Sequence, residues 1–178
     1  VAERMGLVPE EDGFNLRTSA EDWLIFLLRL QGLSSAQSLA RTKEVLREVG
    51  LESASRQRIT TFSKGMRQRL KVAQAVSHRP ELMVLDEPLS GLDPPARREM
   101  IDWIRSWGEQ GRTVIVSSHI LHEVELMTRE VVLVNQGRIL ASGNIHEIRR
   151  LIDAHPHRIR IATPAPKRTI TGVPPPVV

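Results

Sequence analysis

Two short runs of uninterrupted apolar residues constrain the fold of this chain more than any other feature. The first run covers residues 82–85 and ends in two carboxylates, and the second covers residues 114–116 and ends in a Ser-Ser-His sequence. Strands without polar alternation are typical of parallel sheets that are covered on both faces. Between the runs, apolar residues recur at helical spacing, at Met100, Ile101, Ile104 and Trp107. The sequence therefore predicts an α/β fold with a strand-helix-strand unit in a parallel sheet.

The first 80 residues are predicted to be mainly helical after a short strand at residues 4–8. Spacings of three and four residues predict a first helix whose buried face consists of Trp23, Phe26, Leu27 and Leu30. A second helical face consists of Leu39, Val45, Leu46 and Val49, and Gly50 ends this helix. A third helix is expected from Gly65 to about His78.

The end of the chain has a different character. Residues 131–134 and 138–141 predict two further strands, joined by a hairpin turn at the Asn-Gln-Gly sequence 135–137. Five of the 11 prolines fall within residues 164–176. Because proline fixes φ and removes a backbone donor, we expect this end to be extended and flexible.

Composition excludes several classes of protein. Hydrophobic residues make up 40% and charged residues 26% of the 178 residues, which is the balance of a globular chain. Cysteine is absent, which excludes disulfides, thiolate zinc sites and cysteine nucleophiles. Apolar runs such as residues 24–28 are far shorter than the roughly 20 residues of a membrane-spanning helix.

The net charge of +4 is unevenly distributed. Residues 53–80 contain no acid and seven basic residues, namely Arg56, Arg58, Lys64, Arg67, Arg69, Lys71 and Arg79. Such a stretch indicates either an anionic partner, such as phosphate or nucleic acid, or a solvated helix face. Phe62 is the one aromatic residue there that could stack on a base, whereas single-strand binders usually use several.

Titratable residues follow both predicted strands, where ligands bind in open parallel sheets. Asp86 and Glu87 follow the first strand, and His119 follows the second. If Glu87 keeps strand geometry, the two carboxylates diverge, so that one can hold a hydrated Mg²⁺ while the other faces a water or substrate. The alternative is structural, with Asp86 capping the next turn and His119 serving as an ordinary loop residue.

A second candidate site is the turn before the third predicted helix. Ser63 is a plausible N-cap, and Gly65 would let a ligand approach the backbone. Lys64 and Arg67 lie at the positive end of the helix, where a cation is unfavourable unless an anion compensates it. The turn therefore indicates a phosphate site, with an ordinary helix start as the alternative.

Four segments together resemble a known family. They are FSKGMRQRL at 62–70, ELMVLDEP at 81–88, SGLD at 90–93 and SSH at 117–119. In this order and spacing they resemble the ATPase subunit of ATP-binding cassette (ABC) transporters, over about residues 1–150. Lys64 and Met66 stand where many members have glycine and glutamine, which is similar to the export-type branch with separately encoded membrane subunits.

The resemblance implies catalytic roles at the strand ends. Asp86 would hold Mg²⁺ through water, Glu87 would be the general base that orients the attacking water, and His119 would contact the γ-phosphate of ATP. Glu10 falls at the Q-loop position, where the family usually has glutamine, and could reach Mg²⁺ or water.

It also implies a nucleotide site shared between two subunits. The signature turn of Ser63, Lys64, Gly65 and Met66 would bind ATP that is held by a second ATPase subunit in a head-to-tail dimer. Asp93 would cross that dimer interface.

The implied organisation is a partial P-loop NTPase fold of the ABC type, with the N-terminal β-subdomain and phosphate loop missing. Residues 1–13 would be the Q-loop entry, 14–80 the helical subdomain that contacts a membrane-spanning subunit, 81–150 the RecA-like core and 151–178 a C-terminal extension. The resemblance implies a cytoplasmic protein, peripheral on the cytoplasmic face of the membrane.

The 178 residues contain no G-x-x-x-x-G-K-[ST] motif. We therefore expect the carboxyl part of a longer ATPase that powers transport. In view of the signature variant we expect its substrates to be exported, and we expect the isolated chain to be inactive. The alternatives are a half-cassette or regulatory subunit that supplies its signature turn to a partner's ATP, a nucleic-acid-binding module, or a metal site at His119, His122 and Glu123.

Overall fold

A parallel sheet flanked by helices forms the centre of the computed structural model, which describes residues 4–153. The elements in chain order are β1 (Met5–Val8), α1 (Ala20–Leu30), α2 (Ser35–Glu48), α3 (Lys64–Val76), β2 (Leu82–Leu85), α4 (Pro94–Glu109), β3 (Thr113–Val116), α5 (Leu121–Met127), β4 (Glu130–Asn135), β5 (Arg138–Asn144) and α6 (Ile145–Asp153). Two 3₁₀ turns, Glu52–Ala54 and Ile59–Thr61, lie between α2 and α3. The proline-rich segment 164–176, predicted to be extended, lies outside the described residues.

The three parallel strands have the order β1-β2-β3. Their register pairs Val8 with Leu85 and Leu85 with Val116, so that all three strands end level with one another. The strand-helix-strand unit predicted from the two apolar runs is confirmed as β2, α4 and β3. This arrangement brings the polar residues that follow each strand to a single edge of the sheet.

Side-chain caps fix where the helices begin. Ser19, Ser34 and Ser63 precede α1, α2 and α3, and each side chain accepts a backbone N–H from the first turn. Asp93 does the same for α4, which has proline at its first position. These caps satisfy donors that a helix would otherwise leave unpaired, and each stabilises its helix by about 1 kcal/mol.

One apolar core joins the sheet to the helices. Its largest fully buried side chains include Leu24 of α1, Leu46 of α2, Leu70 of α3 and the strand residues Met83 and Leu85. Because α3 packs beside β1 and the core is continuous, the helical segment and the sheet are held in a fixed relation.

The predicted buried face of α1 was wrong. Phe26 and Leu30 are 52% and 69% exposed, and the buried residues are Ala20, Leu24 and Leu28. Residues 23–28 are all apolar, so their spacing alone does not select a face. The tertiary contacts of α1 with α2 and α3 decide it.

The predicted buried face of α2 was wrong at the N-terminal end of the helix. Leu39 is 38% exposed, while Ser38 and Thr42 are fully buried beside the correctly predicted Val45 and Leu46. The two small hydroxyl side chains occupy the closely packed side of the helix.

The hairpin is confirmed. β4 and β5 pair antiparallel, and Gln136 and Gly137 both have positive φ, at +49° and +73°. Such a turn matches the twist of the strands that it joins.

The expectation that helices cover both faces of the parallel sheet fails within residues 4–150. Leu7 of β1 and Ile115 of β3 are 51% and 54% exposed. These two side chains point away from the helices that bury Val8 and Leu85.

Gly6 of β1 tests the contact between the sheet and α3. A Cβ atom at Gly6 would collide with the carbonyl oxygen of Ala75 and would lie 2.6 Å from Sδ of Met83. We expect Gly6→Ala to lower the free energy of unfolding by about 1–3 kcal/mol in urea denaturation. Gly108→Ala is the matched control, because nothing lies within 4 Å of its Cβ position inside α4. The control should raise stability by about 0.5–1 kcal/mol, and equal effects of the two changes would contradict the packing described here.

Candidate active site at the carboxyl edge of the sheet

Backbone hydrogen bonds continue past the ends of the strands and align the candidate residues. The Asp86 N–H donates to the carbonyl of Val8 at 2.8 Å, and the Ser117 N–H donates to the carbonyl of Leu85 at 2.9 Å. The Ser117 hydroxyl donates to Oδ1 of Asp86 at 2.6 Å and accepts the N–H of Glu87 at 2.9 Å. Ser117 therefore ties the end of β2 to the end of β3.

Sequence reasoning assigned no role to Ser117, although the register contained the signal. Because Leu85 pairs with Val116, the next residues along the two strands, Asp86 and Ser117, must also be neighbours. The interpretation of Asp86 as only a cap of the following turn is not supported, because its carboxylate accepts from the neighbouring strand's serine.

Glu87 does not keep strand geometry. Its φ is +45°, a left-handed conformation that costs a non-glycine residue of the order of 1–3 kcal/mol. The condition under which Asp86 and Glu87 would diverge as strand neighbours is therefore not met, because β2 ends at Leu85. The hydrogen bond from Glu87 N–H to Ser117 holds the backbone in this conformation.

His119 lies directly against Glu87. Nδ1 of the imidazole is 2.9 Å from Oε1 of Glu87, and the side chains are 73% and 21% exposed, respectively. The hydrogen bond to the Glu87 carboxylate, aided by its negative charge, raises the pKa of His119 above its ordinary value. The carboxylate and the imidazole that follow different strands are thus brought into contact, as the sequence suggested.

The loop that follows β1 is held by a buried cation. The Lys71 ammonium group donates to the carbonyls of Pro9 and Glu10 at 3.0 and 2.8 Å and lies 3.5 Å from the Asp12 carboxylate. Burial lowers the pKa of Lys71, while Asp12 acts in the opposite direction. Sequence reasoning counted Lys71 only as part of the basic stretch. The Glu10 side chain is exposed, and its charge makes a small contribution to the raised pKa of His119.

The turn before α3 packs against the segment before α4. Ser63 accepts the N–H of Met66 at 3.2 Å, which confirms it as the N-cap. The Lys64 side chain lies against Gly91, whose φ is +64° and where any Cβ would collide with it.

A Cβ added at Gly65 would lie 3.4 Å from Cβ of Ala96, whose N–H is capped by Asp93 at 2.9 Å. The signature turn and Asp93 are therefore adjacent within one chain, because Cα of Gly65 lies against the first turn of α4.

The charge of Arg67 is compensated within the chain, so that this residue does not by itself indicate a phosphate. Nε of Arg67 is 2.9 Å from Oδ2 of Asp12, so that the chain itself supplies the compensating anion. Other basic residues of 53–80 are also paired internally, namely Arg69 with Glu99, Lys71 with Asp12 and Arg79 with Glu44. These pairs remove much of the charge that a nucleic-acid interface would use.

The metal site suggested for His119, His122 and Glu123 does not form. His119 contacts Glu87, His122 lies 3.9 Å from Glu125, and Glu123 is turned toward Ser118. Among residues 4–150, no group of three or more His, Asp or Glu side chains could hold a metal ion. Within the same part of the chain, every helix is too short or too polar to cross a membrane.

The fold and this edge define a partial P-loop NTPase core. The family model described as ABC transporter matches residues 1–90. The chain belongs to this family and is similar to its ATP-binding subunits.

Curated relatives agree with that assignment. The chain is 35% identical over 141 residues to the linearmycin resistance ATP-binding protein LnrL of Bacillus subtilis, covering 79% of this chain and 45% of the relative. It is 36% identical over 141 residues to the bacitracin transport ATP-binding protein BcrA of Bacillus licheniformis, with the same coverages. It is 33% identical over 138 residues to the daunorubicin/doxorubicin resistance ATP-binding protein DrrA of Streptomyces peucetius, covering 78% and 42%. The chain thus spans less than half the length of these relatives.

The contact between Glu87 and His119 has a direct spectroscopic test. Glu87→Gln should lower the pKa of His119 toward its ordinary value, because the hydrogen-bonding anion is lost. An NMR titration of the imidazole measures this change. The raised pKa of His119 also means that its contact with Glu87 stabilises the fold fully at a pH below the ordinary pKa of histidine. This contribution is lost as the pH rises through the pKa of His119 in the folded state. An unchanged histidine pKa in the variant would contradict the contact.

Proposed function

We propose that this chain is part of an ATP-binding and ATP-hydrolysing subunit that powers substrate transport by an ABC transporter. The observation that carries the proposal is the convergence of Asp86, Glu87 and His119 at the carboxyl edge of the sheet. Export is the proposed direction, because two of the relatives reported above are named as resistance proteins and one as a bacitracin transport protein.

Phosphoryl transfer depends on positioning and on neutralising charge. Glu87 has the carboxylate geometry of a general base, held at its backbone by Ser117 and at its side chain by His119. We propose that Glu87 orients the attacking water and that His119, which is largely exposed, contacts the γ-phosphate of ATP. A carboxylate in this role typically accelerates the reaction by about 10²–10⁴-fold.

The donor set at the edge fits Mg²⁺. This ion keeps several waters and is usually bound through one or two carboxylates together with substrate phosphates. Asp86 supplies one such carboxylate, already oriented by the Ser117 hydroxyl. We propose that Asp86 holds Mg²⁺ through water and that the bound ion neutralises phosphate charge, with Glu10 available nearby in the loop after β1.

The start of α3 suits the phosphates of a second nucleotide. Ser63 satisfies the N–H of Met66, which leaves the N–H groups of Lys64 and Gly65 available in the first turn. A helix N-terminus with free N–H groups attracts anions. We propose that Ser63, Lys64, Gly65 and Met66 face ATP held by a second ATPase subunit in a head-to-tail dimer, with Asp93 at the same interface.

The segment 14–80 is proposed as the helical subdomain that meets a membrane-spanning subunit. Its exposed apolar side chains are Leu16, Phe26, Leu30 and Leu39. In this proposal residues 1–13 and 81–150 form the loop entry and the catalytic core, 151–178 form an extension, and the subunit lies on the cytoplasmic face of the membrane.

Glu87→Gln in the complete subunit tests the proposed function. ATP hydrolysis should fall by about 10²–10⁴-fold, because the general base is lost, while binding of Mg·ATP persists. Phosphate release and equilibrium nucleotide binding measure the two properties separately. Glu81→Gln is the matched control, because Glu81 lies at the opposite end of β2, is exposed and pairs with Arg4. Full hydrolysis by the Glu87 variant, or equal loss in the control, would contradict the assignment.

A further inference from the structure

Glu123 is a buried carboxylate for which the proposed chemistry has no use. It lies in the first turn of α5, four residues after His119, and is only 5% exposed. Within residues 4–150, the only other ionisable side chain that is buried is Lys71, which holds the loop after β1. A buried charge is expensive unless its partners satisfy it, so the contacts of Glu123 indicate what it does.

Glu123 connects the loop that contains His119 with the loop that contains Asp93. The Ser118 hydroxyl, next to His119, donates to Oε2 of Glu123 at 3.2 Å. Oε1 of Glu123 lies 3.3 Å from Nη1 of Arg97 in the first turns of α4. Arg97 in turn donates through Nη2 to the carbonyl of Leu92 at 3.3 Å, one residue before Asp93. A continuous chain of polar contacts thus runs from the loop of Asp93 to the loop of His119.

The chain of contacts is incompletely satisfied. Oε1 of Glu123 and Nε of Arg97 are both buried and have no hydrogen-bond partner, although the two residues form an ion pair. Leaving such buried groups unpaired destabilises this arrangement. Because the two groups are already 3.3 Å apart, a small reorientation of one against the other would complete the hydrogen bond, so the free energy of this contact depends on how the two loops are arranged.

We propose that Arg97, Glu123 and Ser118 form a positioning relay that couples the loop of Asp93 to the loop of His119. The relay rests on the proposed function, because the loops that it joins are those assigned to the dimer interface and to the γ-phosphate. It adds to that function a route by which contact of Asp93 with a second subunit adjusts the position of His119. Stability alone does not require charges here, because well-packed apolar side chains of similar volume are often as stabilising as a buried ion pair.

The kinetic test uses Arg97→Met and Ser118→Ala in the complete subunit, singly and together. Each single change should lower kcat for ATP hydrolysis by about 10- to 100-fold and leave KM for ATP unchanged, because the reacting groups are misplaced while nucleotide contacts remain. The double variant should lose no more activity than the worse single variant, since both changes cut one relay. Arg97→Lys, which restores a cation, should recover part of kcat.

The matched control is Glu125→Gln. Glu125 lies on the same helix and forms an ion pair with Arg149 at 2.7 Å, outside the relay. The Glu125→Gln variant should leave kcat for ATP hydrolysis unchanged. Multiplicative losses in the double variant, or variants that only lower the unfolding temperature and keep normal kcat, would overturn the relay.

A second readout does not depend on turnover. By hydrogen–deuterium exchange without nucleotide, Ser118→Ala should increase exchange in residues 90–96, and Arg97→Met should increase exchange in residues 117–121. Exchange changes confined to the mutated loop would overturn the relay even if ATP is hydrolysed normally. If the variants show these remote exchange changes but the unmodified subunit does not hydrolyse Mg·ATP, the result would support the relay and contradict the proposed function.

Discussion

The level register of the three parallel strands is the constraint on which the rest of the site depends. Val8, Leu85 and Val116 end their strands side by side, and backbone hydrogen bonds extend this alignment by one residue, to Asp86 and Ser117. A shift of one residue between β2 and β3 would reverse the faces of all their side chains. It would also separate Asp86 from Ser117 and Glu87 from His119.

Behind this edge, two buried charged residues connect the sheet to the helices. Lys71 of α3 holds the backbone of the loop after β1, and Glu123 of α5 lies between the loops of Asp93 and His119. Both positions cost desolvation, and both ionisable groups contact segments assigned to nucleotide chemistry. The proposed catalytic groups themselves remain accessible, with His119 mostly exposed. The proposed catalytic side chains are therefore accessible to solvent, while the two buried charged residues hold the segments that carry or adjoin them.

Much of this arrangement could be predicted from the sequence. The uninterrupted apolar strands indicated the parallel sheet, and the polar residues after them indicated its reactive edge, because strand ends in such a sheet lie together. The face of α1 could not be predicted, because six consecutive apolar residues carry no periodic information. The positive φ of Glu87 could not be predicted either, since it depends on a hydrogen bond that the Glu87 N–H donates to the hydroxyl of Ser117, 30 residues away in the chain. The contacts of Lys71, Arg67 and Glu123 could not be predicted either, because their partners are distant in sequence or lie across a helix boundary.

The central claim is that Asp86, Glu87 and His119 surround a metal-bound triphosphate. Paramagnetic relaxation measured by NMR on the complete subunit tests it most directly, with Mn²⁺ replacing Mg²⁺ in the presence of ATP. The account predicts strong broadening of the His119 imidazole resonances that requires ATP and is lost in Asp86→Asn. Sharp His119 resonances in the presence of bound Mn·ATP, or broadening that persists unchanged in Asp86→Asn, would contradict it.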